Sequence, residues 1–233
     1  MTNPSLNLPR AFGTAAAFLA LMGFVALLAF SPASARAIAT PDPAVDDSLA
    51  PQSGQQTAVL SGGCFWGIQL VFEHVKGVVK ATAGYAGGTA KTAQYEIVSS
   101  GTTGHAESVQ IVYDPSQITY GQLLKVFFSV AHDPTELNRQ GPDEGTQYRS
   151  SIWYGDSQQQ RIAQAYIAQL DAAKAYPHKI VTQVVPLQGF YPAEAYHQDY
   201  AVHNPGNPYI MINDLPKLAN LKKVLPDFYV AHR

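Results

Sequence analysis

The chain has 233 residues, 46% of them apolar and 14% charged, with a formal net charge of −2. That length holds one sizeable domain or two small ones, and the near-neutral charge gives no basis for a nucleic-acid partner. Cys64 is the single cysteine, which excludes an intrachain disulfide framework and any multi-cysteine metal site.

In chain order, residues 1–14 carry one basic side chain, Arg10, and no acid, and residues 15–30 are an uncharged apolar run. Small residues follow in SPASARA, spaced as in an Ala-x-Ala cleavage site. This is the three-part pattern of a secretory signal, read as residues 1–37. The alternative is an uncleaved anchor in the inner membrane, because residues 12–30 give 19 uncharged positions, just enough to span. Both readings export the rest of the chain, to the periplasm. Removing residues 1–37 deletes two arginines and no acid, which takes the net charge from −2 to −4. Residues 38–56 are rich in Pro, Asp, Ser and Gln, lack a periodic apolar face, and read as a flexible linker.

The remaining residues, 57–233, read as one domain. Residues 57–60 are a short apolar run before Gly62-Gly63 and predict a buried strand. Residues 65–75 place Phe65, Ile68, Val71, Phe72 and Val75 on one helical face, which Gly77 ends. Residues 78–85 predict a strand that runs into GYAGG. Residues 107–113 alternate in part and close at Asp114-Pro115. A helix is expected over 119–131 and a short strand over 150–154. Asp156 can cap a helix over 157–173, and 179–185 predicts another strand. The order β-α-β-β-α-β, then α-β, fits an α+β fold, a two-layer ferredoxin-like split βαβ sandwich. From about Gly189 the sequence is rich in Tyr, Pro and Asn and predicts a loop-rich C-terminal wrap with short helices.

Cys64 lies in SGGCFWG, residues 61–67. A lone thiol is often an inert small hydrophobe. Here it sits between a strand and a helix start, where free N–H groups and the helix dipole stabilise a thiolate. Gly62 and Gly63 allow the backbone to come close to a substrate. Phe65 fits the apolar face of the helix. Trp66 falls off it, and an aromatic so placed either packs in the core or walls a small apolar pocket. LSGGC resembles a lipoprotein acylation site, yet it has one glycine too many and lies 34 residues past the apolar run. His105-Ala106-Glu107 has the His-x-Glu pattern of zinc deaminases without their cysteine ligands. His197 and His203, six apart in a loop-rich stretch, make a weak metal pair. The histidines are therefore read as hydrogen-bonding groups, and no metal is expected.

GCFWG at 63–67 resembles the active-site signature of the A-type peptide methionine sulfoxide reductases. The resemblance runs from about residue 58 to 207, through GYAGG at 84–88, TGHAESV at 103–109, HDPT at 132–135, GTQYRS at 145–150 and FYPAEAYHQDY at 190–200. It implies a catalytic domain over 57–233 that reduces the S epimer of methionine sulfoxide, free or in proteins, to methionine. It implies that Cys64 attacks the sulfoxide sulfur and that Phe65 and Trp66 hold the substrate's methyl group. Glu107 would protonate the sulfoxide oxygen, Tyr95 and Tyr148 would hydrogen-bond it, and Asp143 would help organise the site through water. The chemistry asks for such groups. A sulfoxide is a strong acceptor and a poor electrophile until its oxygen is protonated. A carboxyl with a raised pKa supplies the proton, and tyrosine hydroxyls add oriented donors.

Many members of that family carry further cysteines that attack the sulfenic acid. This chain has none, and Ser99 stands where some relatives have cysteine. The resemblance thus implies no bound cofactor and an external thiol reductant, which is a thioredoxin-like protein, a glutaredoxin or glutathione. The expected partners are oxidised methionine-containing proteins or free methionine sulfoxide, together with that donor, and the chain is expected to be a monomer. Two other readings stand beside this one: a thiol peroxidase, and an inactive module that binds oxidised methionine.

Overall fold

A computed structural model describes residues 37–231, with Met1 and Thr2. The segment read as an export signal lies outside the described residues, among which no helix is long and apolar enough to cross a membrane. The chain divides into two units, Met1–Ser31 and Pro32–Arg233. The second unit carries, in order, β1 (Gln56–Ser61), α1 (Phe65–Glu73), β2 (Val78–Ala86), α2 (Tyr95–Val98), β3 (Ala106–Tyr113) and α3 (Tyr120–Val126). Two-residue strands β4 (Arg139–Gln140) and β5 (Asp143–Glu144) follow, then β6 (Ser151–Tyr154), α4 (Ser157–Ala172), β7 (Gln183–Pro186), β8 (Phe190–Pro192), α5 (Tyr200–His203) and α6 (Leu215–Val224).

The main sheet has six strands in the order β7-β6-β1-β3-β2-β8. β1 runs antiparallel to both β3 and β6, and β2 runs antiparallel to β3. These four strands are compatible with the expected split βαβ sandwich. β7 adds a parallel edge beside β6, and β8 adds an antiparallel one beside β2. The fold is α+β. α1 and the π-helical continuation of α3 (Phe127–Ala131) share one core cluster with the apolar side chains of β1, β2 and β3.

The expected helical face of α1 is buried as Phe65, Ile68, Val71 and Phe72. Its opposite side is covered as well. Leu70 packs with Ala201 and Ile210 of the C-terminal wrap, and half-buried Trp66 joins them. The wrap therefore encloses the helix that begins at Cys64.

Three expectations change. Residues 38–56 are not a loose linker but a strap fixed along α3 and α4 up to the start of β1. The Thr40 and Ser129 hydroxyls bond at 2.7 Å, Tyr166 donates its hydroxyl to Thr40 at 2.9 Å, and Asp46 accepts the Gly121 N–H at 2.8 Å. Polar residues without periodicity suit this path, since Thr40, Asp42, Asp46, Asp47 and Ser53 each bond a different distant partner. The helix expected over 119–131 is α-helical only to Val126 and then widens into a π turn. Carbonyls in that turn take partners from outside the helix. Phe127 O lies 3.1 Å from His132 Nδ1, Phe128 O accepts the Tyr176 hydroxyl, and Ser129 O accepts the Ile38 N–H at 3.1 Å. The strand expected over 179–185 begins only at Gln183. The amides before it are diverted, Ile180 N–H to Asp171 and Val181 N–H to Pro134 O.

Candidate active site

Cys64 occupies the N-cap of α1, between the end of β1 and Phe65. The two glycines before it serve packing. A Cβ on Gly62 would lie 2.9 Å from the His132 ring, and one on Gly63, whose φ is +99°, would lie 2.6 Å from Gln140. They leave room for the His132 ring and the Gln140 side chain. Gly67 is equally confined, since a Cβ there would come within 2.1 Å of Asp214 Oδ1.

A cavity of about 190 Å³ opens at Cys64 and is lined by Phe65, Trp66, Tyr95, Glu107, Asp143, Tyr148 and Tyr209 as well. All seven residues singled out from the sequence therefore meet in one small space. They arrive from separate elements: Glu107 from β3, Tyr95 from the start of α2, Asp143 from β5, and Tyr148 from the turn Thr146–Tyr148. Tyr209 is an eighth lining residue that the sequence did not single out. Its hydroxyl donates to Asp143 Oδ2. Wider hollows lie elsewhere, such as one of about 1110 Å³ beside Tyr176, but they hold no thiol.

Glu107 is 3% exposed and accepts the Phe65 N–H at 3.0 Å. Burial pushes its carboxyl up to about 8, with the neighbouring Asp143 adding to the rise and the Phe65 amide opposing it. The Cys64 thiol is also pushed up, first by burial and then by Glu107 and Asp214. The Trp66 N–H at the helix start acts in the opposite direction and is outweighed. The expectation of a thiolate stabilised by the helix N-terminus is corrected: burial in low dielectric and the nearby carboxyls favour the thiol. Burial is also the leading cause that keeps the Tyr95 and Tyr148 hydroxyls protonated, hence donors, with Glu107 next.

The apolar wall is held from behind. The Trp66 ring stacks on Tyr200 at 3.9 Å and 14°, and its indole N–H donates to His197 Nδ1 at 3.2 Å. Burial holds His197 below its ordinary value, so it is neutral. It bears the hydrogen-bonding role expected of it. Below the first turn of α1 lies an ion pair between Lys217 Nζ and Asp214 Oδ1 at 3.2 Å, with both side chains largely out of water. No group of three His, Cys, Asp or Glu side chains among the described residues is placed to hold a metal.

Residues 56–227 match the family model described as peptide methionine sulfoxide reductase. The chain belongs to the peptide methionine sulfoxide reductase family. It is 60% identical over 185 residues to the peptide methionine sulfoxide reductase MsrA 2 of Mesorhizobium japonicum, a match covering 79% of this chain and 94% of that protein. It is 51% identical over 189 residues to MsrA 2 of Synechocystis, covering 80% of this chain and 88% of that protein. Among solved structures it resembles methionine sulfoxide reductase A of Corynebacterium diphtheriae, with 38% identity and a TM-score of 0.57 over 71% of this chain and 83% of that one. The reductase is an oxidoreductase that returns methionine sulfoxide to methionine in protein repair.

His197 was visible in the sequence as a histidine read for hydrogen bonding, Tyr200 and Glu194 only as part of the FYPAEAYHQDY stretch, and Tyr209 only as one of 13 tyrosines. No local signal ties any of them to Cys64. Each gains its place from the wrap, which brings residues 194–214 back over α1.

Proposed function

We propose that the reductase acts on the S epimer of methionine sulfoxide with Cys64 as nucleophile and Glu107 as general acid. The observation that carries this reading is the convergence of the thiol with a carboxyl poised near pH 8 and with tyrosine hydroxyls around a single small cavity. The substrate's methyl lies against Phe65 and Trp66. Its oxygen takes hydrogen bonds from Glu107, Tyr95 and Tyr148. Protonation of that oxygen makes the sulfur electrophilic. Cys64 then attacks as its proton passes to the Glu107 carboxylate, and a sulfur–sulfur bond forms. The substrate's sulfur–oxygen bond then breaks as the hydroxyl passes to the Cys64 sulfur, and the sulfur–sulfur bond breaks with its electron pair going to methionine, which leaves as the thioether while Cys64 is left as a sulfenic acid. Sulfoxide and thiol have become thioether and sulfenic acid, with atoms balanced. Asp143, accepting from Tyr209, orders this end of the cavity.

The sulfenic acid has no second cysteine in the chain to meet. An external thiol attacks it, releasing water and forming a mixed disulfide, and a second thiol frees Cys64. A thioredoxin-like protein, a glutaredoxin or glutathione has the required chemistry. The N-terminal apolar run and small-residue site support export to the periplasm, where a dedicated protein donor suits an oxidising compartment better than a thiol buffer. The reductase is read as a monomer.

Turnover on resolved S and R epimers of a blocked methionine sulfoxide, with dithiothreitol as donor, tests the assignment. Reduction of the S epimer alone, abolished in Cys64→Ala, is the expected result. Reduction of neither epimer by an enzyme whose Cys64 still oxidises with peroxide would overturn it.

A further inference from the structure

α2 is only four residues long, too short to be stable by itself, and its cap residue Gln94 offers its free amides no side-chain acceptor. The Tyr95 N–H instead donates to Glu194 Oε1 at 2.9 Å. The other oxygen of that carboxylate, Oε2, accepts the Tyr85 hydroxyl at 2.8 Å. Tyr85 is fully buried in β2, stands opposite Glu107 in the sheet register, and holds its ring 5.9 Å from Phe65. One carboxylate thus ties the short helix bearing Tyr95 to the strand pair from which Glu107 reaches the cavity. Burial pushes the Glu194 carboxyl up, but the hydrogen bonds, led by the Tyr95 amide, bring it below the ordinary range, so both bonds are charge-assisted.

The same turn reaches the apolar wall. The His197 N–H closes back on Glu194 O at 2.9 Å. The His197 ring then lies 4.3 Å from the Tyr95 ring while its Nδ1 accepts the Trp66 indole. We propose that Glu194 is a positioning residue for the reduction, acting through Tyr95 by anchoring α2 to β2. This inference rests on the role given to Tyr95 above.

The test is a double-mutant cycle on the purified full chain, reading kcat and KM for methionine-S-sulfoxide with dithiothreitol, beside amide hydrogen exchange. Glu194→Ala lowers kcat by about ten- to a hundredfold, as far as Tyr95→Phe does. The Glu194→Ala/Tyr95→Phe pair loses little more than either alone. Glu194→Gln can still accept the Tyr95 N–H through its amide oxygen and recovers most of kcat. Exchange at the amides of residues 95–99 rises in Glu194→Ala and not in Tyr95→Phe. Losses that multiply in the pair overturn the proposal, and so does unchanged exchange in Glu194→Ala, whatever the kinetics. Full activity in Tyr95→Phe refutes the role of Tyr95 in the reaction instead, and exchange then decides alone whether Glu194 holds α2.

Discussion

Replacing Glu107 by glutamine removes the proposed proton source while keeping its shape. An ordinary carboxyl near 4.5 is protonated to only about 0.3% at pH 7, whereas one near 8 is protonated to about 90%. Burial therefore raises the acid form several hundredfold at working pH. A single turnover without reductant isolates the step, since the first equivalent of methionine needs no donor. Its rate in the wild type is level below pH 8 and falls about tenfold per pH unit above it, as the Glu107 proton is lost. Glu107→Gln lowers the rate by about 10² to 10⁴ and abolishes the alkaline fall. The same carboxyl enters folding stability. Its folded value lies above its unfolded one, so the stability it supports is fully present below pH 4.5 and is lost as pH rises through about 8. At about 1.4 kcal/mol per pH unit, the full loss is about 5 kcal/mol, and it is absent from Glu107→Gln. A wild-type rate that climbs through pH 9, following the Cys64 thiolate, would refute the reasoning.

Other consequences concern the frame around the site. Gly67→Ala drives a methyl against Asp214 and Lys217, and urea unfolding should show a loss of about 1–3 kcal/mol. Lys217→Met strands the buried Asp214 carboxylate and costs about 3–5 kcal/mol, part of which returns when Asp214→Asn is added. Asp46→Ala removes the strap's acceptor at the start of α3 and costs about 1 kcal/mol in the same measurement, with kcat retained because the residue lies away from the cavity. A neutral result for Asp46→Ala would mean that the strap does not stabilise the domain.

Elements with a strong local period were legible in the sequence. Residues 57–60, 65–75 and 107–113 foretell β1, α1 and β3 to within one or two positions, the first as a short apolar run buried on both faces, the other two because apolar residues recur, for 107–113 only in part, at the spacing of the faces they bury. Asp156 was legible as the cap of α4, and it accepts the Gln159 N–H at 2.8 Å. What stayed hidden depends on distant partners. The strap carries no period, since Thr40 answers to Ser129 and Asp46 to Gly121. β8 is three residues long and exists because β2 offers it an edge. Of the site, the seven residues carried by the family motifs do converge. Tyr209 and Glu194 were not singled out, since neither is distinguished until the wrap folds back. The thiol's raised pKa was hidden for the same reason. Residues 64–67 show a helix start, but not the burial of the thiol or the nearby carboxyls of Glu107 and Asp214.

The most direct test of the account is mass spectrometry of the protein after one turnover on methionine-S-sulfoxide with no reductant present. One equivalent of methionine, with Cys64 left as a sulfenic acid that dimedone converts to a thioether adduct with loss of water, is the predicted result. Methionine formed without any modification of Cys64, or formed equally by Cys64→Ser, would contradict it.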